Sequence, residues 1–149
     1  MLKEERIIAL DDLEGLVQEV LAELMTTTFE GAAVIALHGD LGAGKTTFVQ
    51  ALGKELGVLE QITSPTFTIM KSYETTAVGF EHLVHMDAYR IEALNELRPL
   101  RFAEILTTPK TLFCIEWAAK ISTALPTNVL HIYLEVASEN TRTVRISYA

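Results

Sequence analysis

Cysteine and long apolar runs are both scarce in this sequence. Its 149 residues include one cysteine, Cys114, so no internal disulfide can form. Cys114 stands in the apolar run Leu112–Ile115, a position typical of a core residue, and a reduced cytoplasmic setting is expected. The chain has no apolar run of the roughly 18 residues that a membrane-spanning helix needs, so we expect no contact with a membrane.

Basic residues are also few: twelve Lys and Arg stand against twenty Asp and Glu, for a net charge of −8. Proteins that bind nucleic acid directly draw most of their affinity from cations that neutralise phosphates. With few and scattered cations, this chain is not expected to bind RNA or DNA strongly by itself. An acidic surface suits an enzyme or a module that docks on a basic protein partner.

Apolar patterning predicts one α/β domain over residues 1–149, with no linker or repeat. Short continuous apolar runs indicate strands buried on both faces, helical spacing predicts amphipathic helices, and alternation near the C-terminus predicts an antiparallel hairpin. Asp11, three residues before Glu14, resembles a capping box at the start of the first helix. The predicted strands are Arg6–Leu10, Ala32–Leu37, Thr66–Tyr73, Phe80–Met86, Thr111–Ile115, Val129–Val136 and Thr141–Tyr148, and the predicted helices are Asp11–Met25, Thr46–Leu56, Glu92–Leu97, Arg101–Leu106 and a short one ending near Ala124.

The most informative segment is the loop Gly39–Thr46, whose letters GDLGAGKT match the pattern G-x-x-x-x-G-K-[ST]. Glycines let the backbone turn so that successive N–H groups form an anion nest, and the following helix adds the positive end of its dipole. In this pattern Lys45 reaches the β- and γ-phosphates and the Thr46 hydroxyl coordinates Mg²⁺. The loop therefore predicts ATP and Mg²⁺ as ligands and a P-loop NTPase-like mixed sheet with parallel central strands and flanking helices. The predicted phosphate-binding residues are Gly39, Asp40, Leu41, Gly42, Ala43, Gly44, Lys45, Thr46 and Thr47.

Two acids follow apolar strands and are candidates for the rest of the site. Asp87 follows Leu83–Met86, and Glu116 follows Leu112–Ile115. In an open α/β sheet the carboxyl ends of neighbouring strands supply the groups around a ligand. Glu116 also matches the strand-then-acid pattern of a second nucleotide-binding motif. Either acid could instead be a solvated strand end or a helix cap, but the adjacent phosphate loop favours function.

Other polar residues carry weaker signals. The segment Ser64–Thr66 could order around a γ-phosphate or could be a turn before a strand. His82 and His85 stand three apart on a predicted strand, so they face opposite ways and cannot chelate one ion together. We interpret both histidines as structural. Trp117 is interpreted mainly as a packing residue that could also shield the site from water.

Four stretches stand in a distinctive order and spacing: GDLGAGKTTFV at Gly39–Val49, TSPTFT at Thr63–Thr68, HMDAYR at His85–Arg90 and CIEW at Cys114–Trp117. Together they resemble one family over nearly the whole chain: TsaE, the ATPase of bacterial tRNA threonylcarbamoyladenosine biosynthesis. The phosphate loop alone is shared by a vast superfamily, whereas the combination is far more specific. The chain departs from the family at Ala88, where leucine is common, and at Gln50, where many relatives carry arginine.

The resemblance implies roles for individual residues. Lys45 looks like the phosphate-binding lysine, and Thr46 and Glu116 look like the Mg²⁺ ligands. Asp87 is similar to an acid needed for activity near the γ-phosphate and the metal. Thr66 resembles a switch-like position that would contact the nucleotide. On this basis the predicted catalytic residues are Asp87, Lys45 and Glu116.

The resemblance also implies partners. Family members work with a TsaB–TsaD pair that transfers a threonylcarbamoyl group to the adenosine beside the anticodon, and ATP hydrolysis resets that pair. We therefore expect a Mg²⁺-dependent ATPase, weak alone, that supports TsaB-like and TsaD-like proteins and meets tRNA only through them. The tRNAs concerned would be those that read ANN codons. Trp117 corresponds to the family's tryptophan beside the site, and Arg90 is a candidate arginine finger.

Two alternatives remain open from the residues alone. A small-molecule P-loop kinase would need an acceptor site and usually a basic lid, and no arginine-rich insertion is present. A nucleotide-gated binding module would use ATP only to set a docking conformation. The adenine pocket is not fixed by these motifs; the start of the first helix and the final hairpin are its candidates.

Overall fold

The computed structural model describes residues 3–65, 69–76 and 79–148, with the backbone alone at residues 3 and 4. Within these ranges strands and helices alternate along most of the chain, as the apolar pattern predicts. Short 3₁₀ segments lie at Leu10–Asp12, Leu94–Leu97 and Ala118–Ala124. The strands and helices are β1 (Lys3–Ala9), α1 (Leu13–Met25), β2 (Ala33–His38), α2 (Lys45–Glu55), β3 (Met70–Glu74), β4 (His82–Asp87), α3 (Phe102–Leu106), β5 (Thr111–Glu116), β6 (Val129–Ser138) and β7 (Thr141–Tyr148).

The strands form one seven-stranded sheet in the order β1-β7-β6-β2-β5-β4-β3. Strands β6, β2, β5 and β4 run parallel to one another. β7 and β1 extend the sheet antiparallel at one edge, and β3 pairs antiparallel with β4 at the other. The predicted mixed sheet with parallel central strands and a C-terminal antiparallel hairpin is therefore confirmed.

Helices cover the central strands on both faces, which explains why those strands are continuously apolar. α1 and α2 pack on one face, and α3 and the 3₁₀ segment Ala118–Ala124 pack on the other. Cys114 lies on the first face with no exposed surface, so its interpretation as a core residue is confirmed, and burial raises the pKa of its thiol. Burial of an apolar side chain stabilises the fold by about 1.5–3 kcal/mol. α1 buries Leu13, Leu16, Val17, Val20, Leu21 and Leu24.

The predicted start of the first helix is wrong. Leu10–Asp12 forms a 3₁₀ turn, and α1 begins only at Leu13, with no side-chain hydrogen bond at its N-cap Asp12. The backbone N–H of Leu10 instead donates to the carbonyl of Asn140 at 2.9 Å. The turn of the C-terminal hairpin thus fixes this junction, which a local capping pattern cannot anticipate.

Other predicted boundaries also differ from those of the structure. β1 begins at Lys3 because it pairs with β7 from Lys3↔Ser147 to Ala9↔Thr141, so charged residues enter the strand. Of the predicted strand Thr66–Tyr73, residues 66–68 lie outside the described residues, and the strand itself is Met70–Glu74. The segment predicted as a helix at Glu92–Leu97 is one 3₁₀ turn at Leu94–Leu97.

The parallel strands place three chain segments at one edge of the sheet. β2, β4 and β5 all end there, and their last residues are His38, Asp87 and Glu116. The glycine-rich loop leaves β2 at this edge and enters α2. None of the helices in the described ranges combines the length and the apolar content that a membrane span requires.

Candidate nucleotide-binding site

The loop between β2 and α2 has a backbone that only glycine tolerates at key positions. Gly39, Gly42 and Gly44 have φ values of 151°, 82° and 111°, in the region that L side chains rarely adopt. A Cβ atom at Gly39 would also lie 2.4 Å from the carbonyl oxygen of Leu134. Gly44 is the N-cap of α2 and no side chain caps that end, so the first amides of α2 can serve an anion.

Lys45, the first residue of α2, packs against this loop and is almost fully buried, with 5% of its surface exposed. Its Nζ donates hydrogen bonds to the carbonyl oxygen of Gly39 and, at 3.2 Å, to that of Asp40. The ammonium also lies 4.1 Å from the ring centroid of Trp117, within cation–π range. Burial lowers the pKa of Lys45, while Glu116, Asp87 and Asp40 act in the opposite direction. The loop therefore holds a cation whose hydration is largely replaced by carbonyls and an aromatic face.

Thr46 and Glu116 meet across the cleft although 70 residues separate them. The Thr46 hydroxyl donates to Oε2 of Glu116 at 3.0 Å and lies 3.3 Å from Oε1. Glu116 ends β5, and Asp87 is its register partner at the end of β4. Both carboxylates are buried, with 3% and 6% of their surface exposed. The sheet thus brings together the hydroxyl and the two acids that the sequence predicts for the site.

His85 also contacts this cluster. The sequence interpretation of this histidine as structural did not anticipate the contact. Its Nε2 lies 2.5 Å from Oε2 of Glu116, and the ring has no exposed surface. Nδ1 has no hydrogen-bond partner among the described residues. A ring protonated on Nε2 alone donates to Glu116 and leaves only an acceptor without a partner. The signal was available: His85 lies two residues before Asp87, so both side chains face the same side of β4.

Asp87 is held by backbone contacts as well as by its place in the sheet. Its Oδ1 accepts a hydrogen bond from the backbone N–H of Tyr89 at 2.9 Å. Its own N–H donates to the carbonyl of Ile69 at 2.7 Å. Ile69 has φ 68°, unusual for a β-branched residue, and its N–H donates to Pro65. Pro65 is therefore linked through Ile69 to the acid at the end of β4.

These groups surround a cleft of about 200 Å³. That volume is below the range of about 300–1,000 Å³ for clefts that enclose a whole small ligand, so it suits phosphates better than a complete nucleotide. Gly39 and Ala43 line an adjacent hollow against β6. Thr66 lies outside the described residues. The residues around the cleft are Asp40, Leu41, Gly42, Gly44, Lys45, Thr46, Thr47, Ser64, Asp87, Glu116 and Trp117.

Arg142 is a second residue that the motif analysis missed. It lies on β7 with 8% of its surface exposed, and its guanidinium donates to carbonyls of the glycine-rich loop. The sequence carried a signal here too, because Arg142 has the same phase as Val144 and Ile146, which face the core. A cation at an inward-facing position of a strand needs an internal partner.

The donor set fits Mg²⁺ bound together with a nucleotide rather than a metal cage. Among the described residues no group of three or more His, Cys, Asp or Glu side chains could hold a metal ion. Mg²⁺ at nucleotide sites takes one or two protein oxygens and fills its shell with phosphates and water. The adjacent Thr46 hydroxyl and Glu116 carboxylate provide oxygens of the required kind.

A buried parallel strand, a glycine-rich loop ending in Lys-Thr and a helix, with acids at the ends of neighbouring strands, define a P-loop NTPase fold. The chain belongs to the TsaE family, since the family model described as Threonylcarbamoyl adenosine biosynthesis protein TsaE matches residues 12–144. The resemblance seen in the sequence is thereby confirmed.

Individual relatives agree with this assignment. A protein of Treponema pallidum (strain Nichols) named tRNA threonylcarbamoyladenosine biosynthesis protein TsaE is 36% identical over 79% of this chain and 84% of its own length. The protein of the same name from Bacillus subtilis (strain 168) is 36% identical over 85% of this chain and 76% of its own. The crystal structure of Bacillus subtilis YdiB superposes with a TM-score of 0.70 and 26% identity, covering 99% of this chain and 88% of that one.

Proposed function

We propose that the protein is a Mg²⁺-dependent ATPase that supports a TsaB-like and a TsaD-like protein in forming N6-threonylcarbamoyladenosine on tRNAs that read ANN codons. The observation that carries the proposal is the meeting of Lys45, Thr46, Asp87 and Glu116 at one cleft. The relatives are named for the same biosynthesis, which supports the tRNA part of the proposal.

Each of these residues has a distinct part in the proposed reaction. The loop amides, the N-terminus of α2 and Lys45 hold the phosphates and compensate their charge. Thr46 and Glu116 would hold Mg²⁺, which supplies charge neutralisation at the β- and γ-phosphates. Asp87, buried at the neighbouring strand end, would orient the water that attacks the γ-phosphorus. His85 fixes the Glu116 carboxylate.

Activity of the chain alone is expected to be weak. Among the described residues no arginine lines the cleft, and an arginine near the transferred phosphoryl group can accelerate such reactions by roughly 10³–10⁵. Arg90, three residues after Asp87, is a candidate for this role in the assembled complex. Docking of the TsaD-like partner would then complete the site.

The test is threonylcarbamoyladenosine formation over many turnovers in a reconstituted system. Lys45→Ala and Glu116→Ala should each lower the product formed after the first turnover by at least about 10-fold, since each removes a group that holds the phosphates or the metal. Lys54→Ala, on the exposed side of the same helix, is the matched control and should behave as the wild type. Unchanged yield in both site variants would contradict the proposal.

A single-turnover measurement distinguishes the hypothesis of a nucleotide-gated module from that of an ATPase. The absence of an arginine at the described cleft would also suit a protein that binds ATP and hydrolyses it little. With the partner proteins present, the ATPase predicts that bound ATP becomes ADP at a rate compatible with product formation. Release of intact ATP during product formation would favour the module instead.

A further inference from the structure

The C-terminal hairpin of β6 and β7 lies directly behind the glycine-rich loop. The carbonyl oxygen of Leu134 fills the space that a side chain at Gly39 would need. Arg142, near the start of β7, is buried against the same loop. The loop is therefore packed between the cleft on one side and the hairpin on the other.

The Arg142 guanidinium spans the loop and the hairpin turn. Nε donates to the carbonyl of Ala43 at 3.1 Å, and Nη2 donates to the carbonyl of Gly42 at 3.4 Å. Arg142 forms no ion pair with any described residue, so carbonyl oxygens supply the partners of this buried cation. Nη1 donates to the carbonyls of Thr141 at 2.9 Å, Ser138 at 3.0 Å and Glu139 at 3.5 Å.

In an anion nest the backbone carbonyls on the side away from the ligand need hydrogen-bond donors. When successive N–H groups of a loop point toward a ligand, the carbonyls of the same peptides tend to point away from it. Carbonyls turned into the protein need donors, because a buried acceptor without one is costly. The planar, forked guanidinium can serve two adjacent carbonyls and the hairpin turn together, which a single-point ammonium does less well.

We propose that Arg142 is a positioning residue of the nucleotide site. It holds the carbonyls of Gly42 and Ala43 toward the hairpin. In this way it fixes the loop turn that the Ala43 N–H closes on Asp40, and it keeps the Gly44 amide, which shares a peptide with the Ala43 carbonyl, directed at the cleft before any nucleotide arrives. This inference rests on the proposed function insofar as the ligand is a nucleotide phosphate. A loop held in advance binds more tightly because less ordering is left to the binding step.

The experiment compares Arg142→Met with Arg145→Met. Arg145 lies on the same strand but on its other face, with its guanidinium over the ring of Tyr133, so the same change there leaves the loop contacts intact. Dissociation constants for MgADP are measured by calorimetry at a temperature where circular dichroism shows every variant fully folded. We expect about 10-fold weaker binding for Arg142→Met and at most about 2-fold for Arg145→Met. A residue with only a structural role would lower the melting temperature and leave the affinity of the folded protein unchanged.

Hydrogen exchange without nucleotide provides a readout that does not depend on the ligand. The Ala43 amide donates to the carbonyl of Asp40 at 3.1 Å within the loop, and in Arg142→Met it should exchange about 10-fold faster, while the amides of β2 stay within about 2-fold. Wild-type affinity or wild-type exchange at the loop would overturn the proposal. If Arg142→Met does not fold, Arg142→Lys replaces it, with a loss of about 3-fold expected because Lys keeps the charge without the fork. Wild-type values in that variant would equally overturn it.

The two proposals fail differently. A wild-type chain that does not bind MgADP would refute the proposed nucleotide site, whereas the exchange measurement would still decide whether Arg142 fixes the loop. A wild type that binds MgADP together with an Arg142→Met variant of equal affinity would refute only the role of Arg142.

Discussion

Glu116 is the residue on which the site's polar contacts converge. It accepts hydrogen bonds from the hydroxyl of Thr46 and from Nε2 of His85, which lie 70 and 31 residues away in the chain. A buried carboxylate is stable only with such partners, and here they also fix the direction of its oxygens. The same carboxylate can therefore meet a metal ion with little reorganisation.

Replacing Glu116 by Gln should lower the affinity of the protein for Mg²⁺. The amide keeps the size of the side chain but loses the charge that a hard cation requires, so we expect at least about 10-fold lower Mg²⁺ affinity of the ADP-bound protein. The fluorescence of Trp117, the single tryptophan of the chain, reports the titration because its ring adjoins Lys45. Glu60→Gln, at an exposed position, is the control. Equal Mg²⁺ dependence of Glu116→Gln and wild type would contradict the assignment.

Gly39→Ala should destabilise the fold by about 2–4 kcal/mol. The new Cβ would meet the carbonyl oxygen of Leu134 at 2.4 Å, and φ is 151°. Gly15→Ala is the matched control: Gly15 lies within α1, and a Cβ atom there would meet no atom of another element within 4 Å, so Ala should stabilise by about 0.5–1 kcal/mol. Urea unfolding of both variants checks the two signs. If Gly39→Ala leaves the free energy of unfolding unchanged, the hairpin does not pack tightly against the loop at this position.

At the scale of elements, the end of β2 carries a second polar cluster on the face away from α2. His38 stacks on Tyr133 with ring centroids 4.4 Å apart, and its Nε2 lies 2.9 Å from Nδ1 of His131 on β6. Burial lowers the pKa of His38 from 6.5 to about 4, and the charges of His131, Arg145 and Lys45 act in the same direction. Neutral imidazole is therefore part of the packing between β2 and β6.

This shift predicts an acid-sensitive contribution to stability. Because the pKa of His38 is lower in the folded chain, the unfolded chain takes up the proton first as the pH falls below 6.5. The contribution is complete above that pH and is lost toward pH 4; we expect about 1–2 kcal/mol, allowing for solvent screening. Urea unfolding at about pH 7.5 and about pH 4.5 measures the difference, which His38→Gln should reduce. His82→Gln on β4 is the control, and equal pH dependence in all three proteins would refute the prediction.

At the scale of the whole molecule, the net charge bears on whether the chain binds tRNA directly. The net charge of −8 leaves little electrostatic attraction for a polyanion, although the relatives are named for a tRNA modification. The proposed route to tRNA therefore passes through protein partners.

Direct binding of tRNA by the isolated chain should accordingly be weak. Near physiological salt we expect a dissociation constant above about 10⁻⁴ M, the weak limit of non-specific binding by cationic proteins. Fluorescence anisotropy of labelled tRNA, with the chain alone and then with TsaB-like and TsaD-like proteins, checks this expectation. Micromolar binding by the chain alone would show that a local patch overrides the net charge.

Much of the fold follows from local patterns. The apolar faces of α1 and of the hairpin strands repeat at fixed spacing, so sequence spacing alone predicted both elements. Two of the elements that differed were set by distant partners. α1 begins at Leu13 because the hairpin turn binds Leu10, and β1 extends to Lys3 because β7 offers a partner for charged residues.

The candidate site divides in the same way. The letters of the loop by themselves determined a strand–loop–helix unit with a lysine and a threonine at its helix start, because the nest and the helix end are properties of consecutive residues. Which distant groups surround that loop depends on how the strands assemble into the sheet. The order and register of β2, β5 and β4 bring Glu116 to Thr46 and His85 to Glu116, and β7 brings Arg142 to Ala43 across 99 residues. Contacts of that range depend on which strands are neighbours in the sheet, and the apolar spacing within one segment does not specify its neighbours.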